Sequence, residues 1–181
     1  MQNADDAGAS EWSVVIGERE TVVVHDGAPF SFLDVVGICS IGLTTKSQSQ
    51  IGFFGVGWKS VYEVSDRPQI HSGAFHFEIA HVSMPRAIAP RANEGHANET
   101  TLVLPHHDEV DPRVLTEKAL AIPAETLMTL PHLSRFSVGG VGTKGVTHVE
   151  ARHGSRVSLS SASTDSVYEI AEDSVQIDGG H

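Results

Sequence analysis

The sequence predicts an α/β two-layer sandwich followed by a short strand-rich tail, on three observations. Short β-branched runs alternate with helical patterns, the later helices open on proline behind a capping residue, and the texture changes beyond Leu133. Residues 12–16 and 21–24 are β-branched runs parted by the charged stretch Gly17-Glu18-Arg19-Glu20, which predicts an antiparallel pair. Ser31 precedes Asp34 in the manner of a capping box, so residues 32–39 read as a short helix. Residues 58–64 are compatible with another. Residues 74–79 alternate apolar and polar side chains and 101–104 form a short apolar run, and both read as strands. Residues 85–98 mix Pro, Arg, Asn, Gly and His and are expected to be a loop. Residues 112–121 and 123–130 each open on proline, whose missing N–H has no intrahelical partner in a first turn anyway, and Asp111 is positioned to cap the former. Residues 135–138, 146–151, 157–160 and 167–170 are strand candidates for a small antiparallel meander, which divides the chain into residues 1–134 and a strand-rich extension, 135–181.

The 181 residues include 23 acidic and 12 basic side chains, a net charge of −11. Such a surface repels phosphate backbones and anionic lipids, so neither a nucleic-acid nor a membrane partner is expected. It suits an ordinary acidic protein, or a halophilic source in which salt screens the carboxylates from one another. No apolar run reaches the length of a bilayer span and no leader pattern opens the chain, so the expected localisation is cytoplasmic. The lone Cys39 lies in the apolar residues 35–41 and is expected to be a packed, inert thiol.

The richest segment is Gly52-Phe53-Phe54-Gly55-Val56-Gly57-Trp58-Lys59-Ser60. Its glycines let the backbone approach a polyanion and present helix N-terminal amides to it, although a plain glycine-rich turn fits the same spacing. A Walker A loop requires Gly-Lys-Ser/Thr, and here Trp58 separates Gly57 from Lys59. A Rossmann fingerprint requires a preceding strand, and residues 44–50 are polar and loop-like.

A third arrangement fits in order. Gln2-Asn3-Ala4-Asp5-Asp6-Ala7-Gly8-Ala9, then His25-Asp26-Gly27-Ala28-Pro29-Phe30, then residues 41–46, then Gly52 to Ser60 with residues 66–73, resemble the GHKL ATPase superfamily. Residues 99–105 and 127–133 extend the likeness, which covers roughly residues 1 to 138 and is nearest the sacsin-like branch related to heat-shock chaperone ATP-binding domains. The resemblance implies a Bergerat-type ATP-binding fold, a mixed and mostly antiparallel sheet with helices on one face. It implies ATP and Mg²⁺ as cofactors.

By resemblance, Asn3 holds Mg²⁺ that bridges the ATP phosphates, and Asp6, on the same helical face, stands near the nucleotide. His25, Asp26 and Gly27 match the motif that accepts a hydrogen bond from the adenine amino group. His25 occupies the column where the wider family has aspartate, and a neutral imidazole nitrogen accepts such a bond only in the suitable tautomer. Residues 41–50 match the start of a mobile lid in which Lys46 contacts the terminal phosphate, while the backbone of Gly52, Gly55, Val56 and Gly57 meets the phosphates and hinges the lid. Thr100 matches a threonine beside the adenine, preceded here by Glu99 where the family has glycine.

The family's general base is a glutamate four residues before the magnesium asparagine, a position that precedes Met1. No catalytic residue is therefore expected in the chain as written, and hydrolysis should be slow, since a general base contributes about 10²- to 10⁴-fold. His106, His107 and Asp108, with His96 nearby, invite a metal reading, but neighbours on a strand point to opposite faces and no zinc-type spacing is present. Two classes of function remain. One is a chaperone-like conformational machine in which ATP closes a lid, with a protein client, a larger assembly or oligomer formation as its context. The other is a fragmentary domain acting as a non-catalytic interaction module.

Overall fold

The computed structural model describes residues 1–40, 58–80, 84–91, 99–153, 155–161 and 165–169. In chain order the elements are α1 (Gln2–Asp6), β1 (Glu11–Ile16), β2 (Glu20–His25), α2 (Phe32–Ser40), a 3-10 turn (Trp58–Glu63), β3 (Gln69–Ser72), β4 (Phe75–Ala80), β5 (Met84–Ala87) and β6 (Thr100–Pro105). There follow α3 (Pro112–Leu120), a second 3-10 turn (Ala124–Thr129), β7 (Arg135–Gly140), β8 (Val146–His153), β9 (Arg156–Ser161) and β10 (Asp165–Glu169). The fold is an α/β fold dominated by one mixed open sheet, in the order β10-β9-β8-β7-β1-β2-β6-β3-β4-β5. No helix among the described residues is long and apolar enough to cross a membrane.

Local signals explain several of these elements. The amide and hydroxyl of Ser31 both donate to Asp34 Oδ2 at 2.7 Å and the Asp34 amide returns to Ser31 Oγ at 3.4 Å, the reciprocal box that opens α2. Asp111 Oδ1 accepts from the amides of Arg113 and Val114, so α3 begins with its first free donors satisfied. The β1–β2 hairpin is antiparallel, with Trp12 opposite His25 and Ile16 opposite Thr21.

Three elements depart from the sequence reading. Residues 124–129 form a 3-10 turn instead of an α-helix, with the Thr126 amide on Pro123 O and the Leu130 amide on Leu127 O, which suits so short a piece between two prolines. Met84–Ala87 is a strand where a loop was expected. It is the edge of the sheet, where Pro85 stands opposite Ile79 and its missing N–H removes no ladder bond further out. Gln69–Ser72, in which no alternation is legible, becomes β3 because it is held on both sides, by β6 and by β4.

Strands β7 to β10 form an antiparallel meander, and β7 joins the rest of the sheet by pairing parallel with β1, Glu11 opposite Arg135 and Ile16 opposite Gly140. One apolar cluster spans that seam. Val14, Ile16, Phe136, Val138, Val157 and Leu159 pack under Leu127, Leu130 and Leu133, and Ala4 and Ala9 bring α1 to the same cluster. A second cluster sets Ile38 of α2 on Ile70, Phe77 and Ile79 of β3 and β4. Full burial of side chains of this size stabilises by about 1.5–3 kcal/mol each.

Candidate functional site

Between the two clusters the sheet is not filled. A cavity of about 630 Å³ opens there, walled by α1, the segment from Ala28 to Phe30, the start of α2, and Ser60 with Val61. Strand register explains its floor. Trp12 pairs with His25 and Val23 with Leu102, so the side chains of Trp12, Val23, His25, Leu102 and Leu104 share one face of β1, β2 and β6. All five line the cavity. Its apolar floor and walls, with a few polar groups converging on them, give it the size and make-up of a small-molecule site.

Asn3 and Asp6 both reach the cavity from the exposed side of α1, one turn apart. Asp34 also lines it, so two carboxylates face the space. Asp5, between Asn3 and Asp6 in sequence, turns the other way and is buried. Its Oδ1 accepts the amides of His132 and Leu133 at 2.7 and 2.8 Å, which ties α1 to the segment before β7. Burial opposes its ionisation, but those amides and His132 outweigh burial and hold the carboxyl below its usual range.

His25 is buried at the end of β2, and the Gly27 amide donates to its Nδ1 at 3.2 Å. Burial pushes the imidazole below its ordinary pKa, so the ring is neutral at neutral pH. Asp26 points out of the opposite face, into a recess of about 90 Å³ that Glu11, Glu99 and Arg135 share. It accepts from the Ser10 amide and the Glu11 amide at 2.8 Å and from the Ser10 hydroxyl at 2.5 Å. Burial alone would raise its pKa, and the Ser10 and Glu11 donors reverse that direction.

Gly27 serves by having no side chain. A Cβ there would stand 3.0 Å from Ala7 O and from Ala9 N, so glycine is what lets the end of β2 press against the end of α1. The Ala28 amide then donates to Ala7 O at 2.8 Å, closing this wall. Thr100 is fully buried beside His25 and does not itself line the cavity. Its hydroxyl lies 2.5 Å from Ser72 Oγ, which in turn accepts the Phe30 amide at 2.9 Å.

Lys46, Gly52, Gly55, Val56 and Gly57 lie outside the described residues. His106 Nε2 meets Thr21 Oγ1 at 2.8 Å and His107 Nε2 meets Glu63 O at 2.9 Å, so the two rings take different partners. Among the described residues no group of three or more His, Cys, Asp or Glu side chains is arranged to hold a metal ion. Burial raises the Cys39 thiol above its usual pKa.

Sequence reasoning did not single out the apolar half of this site. Val23 with His25, and Leu102 with Leu104, are period-two pairs on β2 and β6, and that alternation was the available signal. Asp34 caps α2 as its spacing from Ser31 implies, and it also faces the cavity.

These features define an α/β protein with a cavity of about 630 Å³ against a mixed open sheet. No family model matches the chain. It is 36% identical over 86 residues to the protein NO VEIN of Arabidopsis thaliana, a match covering 44% of this chain and 3% of that protein. It is 34% identical over 92 residues to Sacsin of Homo sapiens, covering 40% of this chain and 2% of that one. The chain thus spans a few per cent of the length of these curated relatives. Among solved structures it is similar to the N-terminal domain of a DNA repair protein, with a TM-score of 0.46 and 14% identity over 81% of this chain and 48% of that one.

Proposed function

We propose that this chain is an ATP-binding domain of the GHKL superfamily, of the sacsin-like type, which holds a purine nucleoside triphosphate as its Mg²⁺ complex in the cavity between α1 and the β2–β6 floor. One observation carries the reading. Segments far apart in sequence, Asn3 with Asp6, His25, and Ala28 to Phe30, converge on a single cavity of about 630 Å³. The partial likeness to Sacsin supports the same class.

The residues present suit the cofactors. The apolar surfaces of Val23, Leu102 and Leu104 fit a planar base and exclude water from it. Asp6 and Asp34 at the same cavity would repel a bare triphosphate, so a divalent cation is needed to make the charges compatible. Magnesium keeps most of its waters and asks for few protein ligands, and when bound it neutralises the phosphate oxygens. Asn3 offers an amide oxygen for it, and Asp6, one turn on, is positioned to orient a coordinated water. The resemblance assigns phosphate contacts to Lys46 and to the backbone of Gly52, Gly55, Val56 and Gly57 beneath a closing lid. No catalytic role is assigned to any residue, so the proposed function is binding.

Calorimetric titration of the full chain with ATP, with and without Mg²⁺, tests this. The expected outcome is saturable binding that chelation of the metal weakens. A folded sample that binds neither ATP nor any other purine nucleotide removes the reading.

A further inference from the structure

His71 on β3 and His76 on β4 stand opposite each other, in register with Thr101 of β6. Leu102 and Leu104 line the cavity, so the alternate residues of β6, and the two histidines with them, occupy the other face of the sheet. His71 is 2% exposed, and its Nδ1 lies 3.2 Å from Nδ1 of His76. The same nitrogen of His71 accepts the Arg91 amide at 3.4 Å. An amide can only donate, so His71 Nδ1 carries no proton and the bond between the rings is supplied by His76 Nδ1–H.

Residues 88–91 form a strap over this face. The Ile88 amide donates to His76 O at 3.0 Å, and the Arg91 guanidinium reaches across to Glu20 of β2 at 2.7 Å. Between the anchors on β3 and β2 lies β6, whose Thr101 and Val103 are buried.

We propose that the His71–His76 pair is an acid-sensitive clasp, which holds this strap on the sheet while His71 is neutral and releases it when His71 Nδ1 takes a proton. One proton reverses the chemistry of the contact. Nδ1 becomes a donor and meets two others, His76 Nδ1–H and the Arg91 N–H. The surroundings offer the new charge no uncommitted counter-ion. Glu20 is paired with Arg91, and Glu78 of β4 with Arg67 at 2.7 Å and Arg86 of β5 at 3.7 Å, while β6 presents only Thr101 and Val103. Burial, then His76 and Arg91, hold the His71 ring below its ordinary pKa. Its Nε2–H is buried and, among the described residues, without a partner, a cost that opening relieves by admitting water. A histidine whose closed-state pKa lies below its open value of about 6.5 takes up a proton on opening, so the strap is held above that pH and loosens below it.

Amide hydrogen exchange on the full chain, read by NMR between about pH 8 and about pH 5 and corrected for intrinsic rates, tests the clasp. Below about pH 6.5 the opening equilibrium at Ile88 and Arg91 is expected to rise about tenfold per pH unit, the slope of one proton, while amides of the β1–β2 hairpin keep their protection. His71→Asn sets an amide oxygen near the place of Nδ1 and has nothing to titrate, so its strap should lose that slope. A strap equally protected across the range, a strap that opens only together with the hairpin, or a slope that survives in His71→Asn overturns the proposal. Nitrogen-15 NMR of the native imidazole needs no variant: His71 Nδ1 is expected to gain its proton over the range in which the strap opens, and a ring that stays neutral while the strap opens overturns the proposal.

Discussion

Ser72 and Thr100 face each other across β3 and β6 with their hydroxyl oxygens 2.5 Å apart, and Ser72 also accepts the Phe30 amide at 2.9 Å. Neither residue lines the cavity, yet through Phe30 they bind its wall to its floor. Ser72→Ala leaves the Phe30 amide and the Thr100 hydroxyl without this partner. It should cost about 1–3 kcal/mol in urea unfolding, the penalty for a buried unsatisfied polar group. Nucleotide affinity should fall with it, since the Phe30 wall is released. A Ser72→Ala chain with native stability and affinity would contradict the role given to this bond.

Asn3 is exposed on α1, so its loss should cost the fold little. Asn3→Ala is expected to change unfolding free energy by no more than about 0.5 kcal/mol. Mg²⁺-dependent nucleotide affinity should drop about tenfold to a hundredfold, the range lost when a group that orders a metal site is removed. Titration in Mg²⁺ and in chelator separates the two effects, because affinity in chelator should not change.

Asp5 belongs to the fold and not to the cavity. Asp5→Ala removes the acceptor of the part-buried His132 amide and the buried Leu133 amide, and the orphaned Leu133 donor alone should cost about 1–3 kcal/mol. The pH dependence follows from the lowered pKa of its carboxyl. A carboxylate depressed in the folded state stabilises at pH above its unfolded value, and that contribution is lost as pH falls through the folded value. The gap between native and Asp5→Ala chains should thus be full at neutral pH and begin to narrow near the unfolded carboxylate value of about 3.9. Urea midpoints of both proteins across the acid range check it.

Gly140, at the end of β7, lies directly against Thr116 of α3, whose hydroxyl is bonded back to Pro112 O at 2.6 Å. A Cβ on residue 140 would overlap the Thr116 side chain, so α3 or β7 must move. Gly140→Ala should destabilise by about 1–3 kcal/mol, the usual cost of overfilling a packed contact. Thr116→Ala in the same chain should recover part of the loss. Additive losses in the double variant would show that the two sites are not in contact.

Much of the local structure was legible because its causes are local. The Ser31–Asp34 box, the Asp111 cap and the β-branched runs of β1 and β2 act within a few residues, and each produced the expected element. Strands β3 and β5 were not legible, since Gln69–Ser72 and Met84–Ala87 owe their extended form to neighbours on the sheet instead of to their own composition. The candidate site was legible in its polar motifs and not in its apolar floor. Asn3, Asp6 and His25 stand out in sequence, whereas Val23, Leu102 and Leu104 look like any core residues until register brings them to one face.

By itself the sequence determined the α/β class, the caps and the order of the motifs, because periodicity and capping chemistry are short-range. Only the tertiary structure decided how Asp5 and Asp6 divide their work, since one helical position apart they face a buried backbone and an open cavity. It alone joined the β7–β10 meander to the rest, through a parallel pairing of Glu11 with Arg135 that no local pattern encodes. The tautomer of His25 was decided there too. Which imidazole nitrogen keeps the proton depends on where the Gly27 amide points, and that direction is set by the close packing of β2 on α1.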